Sequence, residues 1–113
     1  MNSLLLLALV FMAAGVLNIA IALPLLQCRI GPNPWYGFRL PRTMNNADRW
    51  YAVNAYAARY LLWGGVTTLI AAPIVGLLPG MIPEVYAVAM AAFMVIGPLC
   101  SLVLGLRYLR TLP

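Results

Sequence analysis

The chain has 113 residues, of which 65% are apolar and 8% are charged, and its formal net charge is +5. A soluble domain carries roughly a quarter charged residues, so this sequence has too few of them to cover a surface in contact with water. The composition therefore excludes an ordinary soluble globular protein and predicts a membrane protein. The length allows a single integral membrane domain, residues 1–113, without a separate catalytic module.

Three apolar runs are each long enough to cross a bilayer as a helix, which takes about 20 residues. They lie at about residues 4–26, 60–78 and 85–106. We therefore expect an all-α membrane protein with three transmembrane helices. The polar segment between the first two runs, residues 27–59, is expected to form an arginine-rich loop followed by an amphipathic extension of the second helix.

Small residues recur at four-residue intervals in each run, a spacing that lets helix backbones approach closely in lipid. The residues are Gly64, Thr68, Ala72 and Gly76 in the second run; Gly97, Ser101 and Gly105 in the third; and Ala14, Asn18 and Ala22 in the first. These faces are expected to meet in a three-helix bundle. We expect Asn18 to bond to a neighbouring helix, with a place in a ligand cavity as the alternative. The sequence leaves open whether the chain forms homo-oligomers.

The start of the second helix is expected near Asn46, with Asn45 as its N-cap and Asp48 at the third helical position. Aromatic residues along this helix are expected to mark its passage through the headgroup zone. They are Trp50, Tyr51, Tyr56, Tyr60 and Trp63.

All seven basic residues are arginines, and a three-span layout places every one of them on the same side of the membrane. The positive-inside rule assigns that side to the cytoplasm, with the N-terminus outside and the C-terminus inside. Because the arginines flank apolar runs, anionic lipid headgroups are the expected partners, and nucleic acid is not. Arg29, Arg49, Arg107 and Arg110 fit a role in topology and headgroup anchoring.

The segment Asn33-Pro34-Trp35-Tyr36-Gly37-Phe38-Arg39-Leu40-Pro41-Arg42-Thr43 combines turn-forming residues, aromatic anchors and arginines. Gly37 permits a close backbone approach or a positive φ. We expect Arg39, Arg42 and Arg59 to join a specific polar network, because guanidinium groups bind phosphate or carboxylate through paired hydrogen bonds. Asp48 is the one acidic residue expected on that side, so it can pair with only one or two of them. The others need lipid phosphate, helix C-terminal carbonyl groups or a partner protein.

The run Gly37-Phe38-Arg39-Leu40-Pro41-Arg42-Thr43, followed by Asn46, Trp50 and Asn54, resembles the SdpI family of bacterial immunity proteins. The resemblance is detailed over about residues 30–65. It implies a cytoplasmic membrane protein of bacteria, and the namesake both protects its producer from a secreted toxic peptide and holds a transcriptional repressor at the membrane. The site residues that the resemblance implies are Asn33, Gly37, Arg39, Pro41, Thr43, Trp50, Asn54 and Arg59. We add Arg42 and Asn46, from the same stretch, as candidate binding residues. Longer members carry further spans ahead of this region.

Three functions are consistent with these features. The first is a non-enzymatic immunity or signalling protein that binds a toxin peptide or a cytoplasmic regulator through the arginine-rich loop. The second is a module that binds anionic lipid or phosphate through Arg39, Arg42 and Arg59. The third is a small accessory subunit of a larger membrane complex. An enzyme is not expected, because the chain has no histidine and its two acidic residues, Asp48 and Glu84, are predicted on opposite membrane faces. No cofactor is expected.

Overall fold

The computed structural model describes residues 2–113 and contains three long helices and one short one. They are α1 (Ser3–Leu26), α2 (Pro41–Met44), α3 (Ala47–Gly76) and α4 (Pro83–Thr111). The long helices are each long and apolar enough to cross a membrane, which confirms the prediction of an all-α, multi-pass membrane protein. The bundle is 52 Å long, whereas a bilayer with its headgroups is about 40–45 Å thick.

Several helix boundaries differ from the predicted ones. The second long helix ends at Gly76 rather than Leu78, and the third runs on to Thr111. Asn46, not Asn45, caps α3: its side-chain oxygen accepts a hydrogen bond of 3.1 Å from the backbone N–H of Arg49. Asp48 is therefore the second helical residue. Asn45 instead follows the unpredicted α2, and its backbone N–H donates to the Pro41 carbonyl oxygen at 3.2 Å.

Helix α3 lies at the centre of the bundle, because α1 and α4 both pack along it and barely touch each other. Glycine residues allow the helix backbones to approach closely at both contacts. A Cβ on Gly15 of α1 would lie 2.8 Å from the carbonyl oxygen of Gly65, and a Cβ on Gly64 would lie 2.7 Å from the Cα of Gly97 in α4. Small residues thus form the contact faces, as predicted, although in α1 the closest approach is at Gly15.

Few polar side chains connect the helices. The Ser101 hydroxyl donates a 2.8 Å hydrogen bond to the Ala57 carbonyl oxygen, and the buried Tyr86 hydroxyl donates one of the same length to that of Ala72. Asn18 was expected to bond to a neighbouring helix, and that expectation is wrong. Its side chain lies in the gap that α1 and α4 leave between them, beside Pro98 and Leu102. No polar group of the described chain faces it there.

Candidate functional site: the ordered loop and the groove beneath it

The loop before α2 is fastened to α3 through Asn54. The Asn54 side-chain oxygen accepts a 2.7 Å hydrogen bond from the Phe38 N–H, and its amide nitrogen donates one of 2.9 Å to the Trp50 carbonyl oxygen. The loop can approach this closely because Gly37 has a φ of +106° and no side chain. A Cβ there would lie 2.8 Å from the Asn54 oxygen and from the Trp50 ring. Positive φ and crowding together require glycine.

Trp50 joins the beginning of the same loop to α3. Its indole N–H donates a 2.8 Å hydrogen bond to the Ile30 carbonyl oxygen, and the whole side chain is buried. Trp50 was predicted to lie among lipid headgroups, and this was wrong. The ring faces the chain's own loop, because it is on the side of α3 that also presents Asn54.

Two further motif residues shape the loop by bonding to its backbone. The Asn33 side-chain oxygen accepts from the N–H groups of Trp35 (2.8 Å) and Tyr36 (3.0 Å), which is an Asx-type turn. The buried Thr43 hydroxyl accepts a 3.0 Å bond from the Leu40 N–H and donates to the Phe38 carbonyl oxygen. Pro41, the first residue of α2, fits a position where no N–H donor is needed.

The arginines of the segment are spread over three elements and do not form one network. Arg39 lies in the loop and donates to the Pro34 carbonyl oxygen. Arg42 of α2 donates to the Leu112 carbonyl oxygen at 3.0 Å, and Arg49 of α3 donates to that of Pro113 at 2.7 Å. The end of the chain therefore binds two guanidinium groups, and neither pairs with Asp48.

Arg59 is separate from the others. It is exposed on α3, ten residues beyond Arg49, which corresponds to about 15 Å along the helix axis. The structure thus gathers Asn33, Gly37, Thr43, Trp50 and Asn54 around one fold of the loop, and places Arg39 and Arg42 at its edge. It does not bring Arg39, Arg42 and Arg59 together around a single phosphate-sized site.

Beneath the ordered loop lies a groove of about 290 Å³ between α1 and α4, with α3 as its floor. We call it the loop-capped groove. Its residues include Tyr36, Gly37 and Phe38 of the loop, Ala57 and Ala58 of α3, and Pro98 and Leu102 of α4. The gap beside Asn18 adjoins it through Pro98 and Leu102. Sequence reasoning missed its apolar residues, because nothing distinguishes them from the other apolar residues of the spans.

The lining determines what this groove can hold. Its polar groups are few, and two of them are already engaged: Asn54 bonds to the loop and Ser101 bonds to Ala57. An apolar groove with few unpaired donors suits aliphatic or aromatic groups rather than an ion. The groove opens between two helices that are long and apolar enough to span a membrane, so it is open sideways.

The SdpI/YfhL protein family matches this chain over residues 29–106, a stretch that contains the loop, α2, α3 and most of α4. No curated protein and no solved structure matches the chain. The matched region includes every motif residue described above and the α3–α4 side of the loop-capped groove, whereas α1 precedes it.

Proposed function

Because the chain belongs to the SdpI/YfhL protein family, we propose that it is a non-enzymatic immunity protein that binds a membrane-active toxin peptide. Apolar side chains of the peptide occupy the loop-capped groove, and the arginine-rich loop closes over its end. One observation carries the proposal: the motif residues hold Tyr36 and Phe38 in fixed positions over an open apolar groove.

The fixed loop supports binding because a prearranged site does not lose conformational freedom when its ligand arrives. Asn54, Trp50 and Thr43 hold the loop in one conformation through hydrogen bonds to its backbone. In this proposal the chain lies in the cytoplasmic membrane of a bacterium, with its N-terminus outside and its arginines inside. The peptide then reaches the groove laterally, within the half of the bilayer that adjoins the cytoplasm.

The test uses two tryptophan substitutions at adjacent positions of α4. Leu102 lines the groove and is 50% exposed, whereas Val103 is 47% exposed and does not line it. The wild type and both variants are produced in a sensitive bacterium, which is challenged with the toxic peptide of an SdpI-type operon. We expect the wild type and Val103→Trp to protect the cells and Leu102→Trp to fail, at equal amounts of protein in the membrane.

Two outcomes would contradict the proposal. If the wild type gives no protection against this peptide or against other membrane-active peptides, the immunity role is wrong. If Leu102→Trp protects as well as the wild type, the groove is not the binding site. Equal membrane levels and matching helical circular dichroism separate these outcomes from misfolding.

A second candidate, the binding of a cytoplasmic regulator, is favoured by Trp35. This side chain is 82% exposed, in the loop that carries Arg39, and exposed tryptophan and arginine are common anchors of protein interfaces. The Trp35→Ala variant tests it: recruitment of a soluble partner to the membrane should be lost while protection against the peptide remains. If Trp35→Ala loses neither the recruitment of the partner nor the protection, a partner that depends on Trp35 is excluded.

A further inference from the structure

A second groove runs along the contact between α3 and α4, and none of the motif residues lines it. It measures about 200 Å³ and is lined by Tyr60, Trp63 and Gly64 of α3 and by Phe93, Gly97 and Cys100 of α4. We call it the tyrosine groove. The Gly64–Gly97 contact forms its floor, because neither residue has a side chain to fill the space between the helices. Its lining is almost wholly apolar.

Three tyrosines lie at the end of this groove that is nearer the arginine-rich loop. The rings of Tyr56 and Tyr108 stack with centroids 4.2 Å apart, and the ring of Tyr60 meets that of Tyr56 edge-on at 5.7 Å. The hydroxyl groups of Tyr56 and Tyr60 are 3.5 Å apart, which is long for an O–H···O hydrogen bond. Both hydroxyl groups can therefore still donate to a better acceptor.

Arg59 adds a positive charge at the same level of α3 as this end of the groove. It precedes Tyr60 in α3, is exposed, and makes no hydrogen bond within the described part of the chain. The two acidic residues of the chain are remote: Asp48 is eleven residues earlier in α3, about 16 Å along its axis, and Glu84 lies at the other end of the bundle. A cation at the border of the hydrocarbon either pairs or extends to the interface, and within residues 2–113 neither acidic side chain lies close enough along the bundle to pair with Arg59.

We propose that the tyrosine groove binds an anionic phospholipid. The phosphate accepts hydrogen bonds from the Arg59 guanidinium and from the Tyr56 and Tyr60 hydroxyls, while one acyl chain lies along Trp63, Gly64 and Gly97. The groove offers about 10 Å of helix length between Tyr60 and Thr67. Charge complementarity favours this ligand, because an apolar groove ends at the level of Arg59 and of the Tyr56 and Tyr60 hydroxyls. This site is independent of the loop-capped groove.

Lipid retention tests the site. The full chain is incorporated into nanodiscs of equal phosphatidylglycerol and phosphatidylcholine, extracted in mild detergent, and analysed by native mass spectrometry. We expect one retained phosphatidylglycerol and no preference for phosphatidylcholine. The Arg59→Gln variant should lose the bound lipid by about tenfold or more, because it removes a charge-assisted hydrogen bond. The Arg110→Gln control removes the same charge from an exposed position in the last turn of α4 and should retain the lipid.

A second pair of variants tests the acyl-chain part of the site. Ile96 lines the tyrosine groove and is 55% exposed, so Ile96→Trp should fill it and expel the lipid. Leu102→Trp adds a ring of the same size to the loop-capped groove and should leave lipid retention unchanged. Equal loss in Arg59→Gln and Arg110→Gln, or equal retention of both lipids, would overturn the proposal. So would a dimer that retains no lipid, which would assign the groove to a second copy of the chain.

Discussion

The motif segment and the helix contacts are held together in different ways. In the segment from Ile30 to Asn54, side chains of particular chemistry bond to backbone groups of a loop that has no regular structure. Between α3 and α4, two glycine backbones touch, and the Ser101 and Tyr86 hydroxyls cross to backbone carbonyl groups. The first arrangement needs particular residues, whereas the second needs small ones. Motif residues therefore order the loop that covers one groove, whereas apolar helix faces supply most of the lining of that groove.

This comparison predicts that the largest effect comes from the motif segment, at Trp50. The Trp50→Ala variant removes a fully buried ring and leaves the Ile30 carbonyl oxygen without its 2.8 Å donor. We expect the free energy of unfolding to fall by about 3–5 kcal/mol, as for other buried aromatic residues. Thermal unfolding in mild detergent, followed by circular dichroism, measures the change.

Trp35 provides the matched control for that experiment. It lies in the same segment but is 82% exposed, so Trp35→Ala should change the free energy of unfolding by no more than about 0.5 kcal/mol. A similar loss in both variants would mean that the loop is not fastened through Trp50. The distinction between the two regions would then disappear.

The sequence predicted the helices well because their signals are long and redundant. Each span has many apolar residues, so no single position decides its existence, and the small residues that recur every four positions marked the contact faces. Helix ends were predicted less accurately. Asn45 and Asn46 are both good N-caps. The choice between them depends on α2, because Asn45 is already the C-cap of that helix.

The sequence predicted which residues belong to the site but not which groups they contact. Asn33, Gly37, Thr43, Trp50 and Asn54 were identified as one motif, but the partners of the four polar side chains are backbone groups. Trp50, Asn54 and Thr43 bond to backbone groups of Ile30, Phe38 and Leu40, and Asn33 bonds to those of Trp35 and Tyr36. Backbone atoms are the same in every residue, so a sequence cannot show which of them a side chain will reach. For the same reason the sequence left lipid phosphate, helix C-terminal carbonyl groups and a partner protein open for Arg42, which bonds to the Leu112 carbonyl oxygen. Arg49 was expected to anchor headgroups and instead donates to the Pro113 carbonyl oxygen.

The next largest effect is expected at the glycine contact. A Cβ on Gly97 would lie 2.8 Å from the Gly64 Cα and 3.4 Å from the Tyr60 carbonyl oxygen. Both are backbone atoms in a helix, so Gly97→Ala has to push α4 away from α3. We expect a loss of about 1–3 kcal/mol in the free energy of unfolding, as for other overpacked sites. The same thermal measurement in detergent applies.

Gly76 is the control for the glycine contact, since a Cβ there would meet only a ring atom of Tyr86 at 3.6 Å. Gly76→Ala should be neutral or slightly stabilising, because alanine favours the helix by up to about 1 kcal/mol. If Gly97→Ala were equally harmless, small size would not be what the α3–α4 contact requires.

The smallest effect is expected at Ser101, which is a small residue at a helix contact and also makes a specific hydrogen bond to the backbone. Its hydroxyl donates to the Ala57 carbonyl oxygen across the α3–α4 contact at 2.8 Å, but alanine is just as small and preserves the close approach. Hydrogen bonds between membrane helices contribute about 0.6 kcal/mol on average, so Ser101→Ala should lower the free energy of unfolding by about that much. Thr67→Ala is the control, because the Thr67 hydroxyl bonds only within its own helix. A loss above about 2 kcal/mol at Ser101 would show that α4 depends on a specific polar bond, as the loop does, and that small size alone does not hold it.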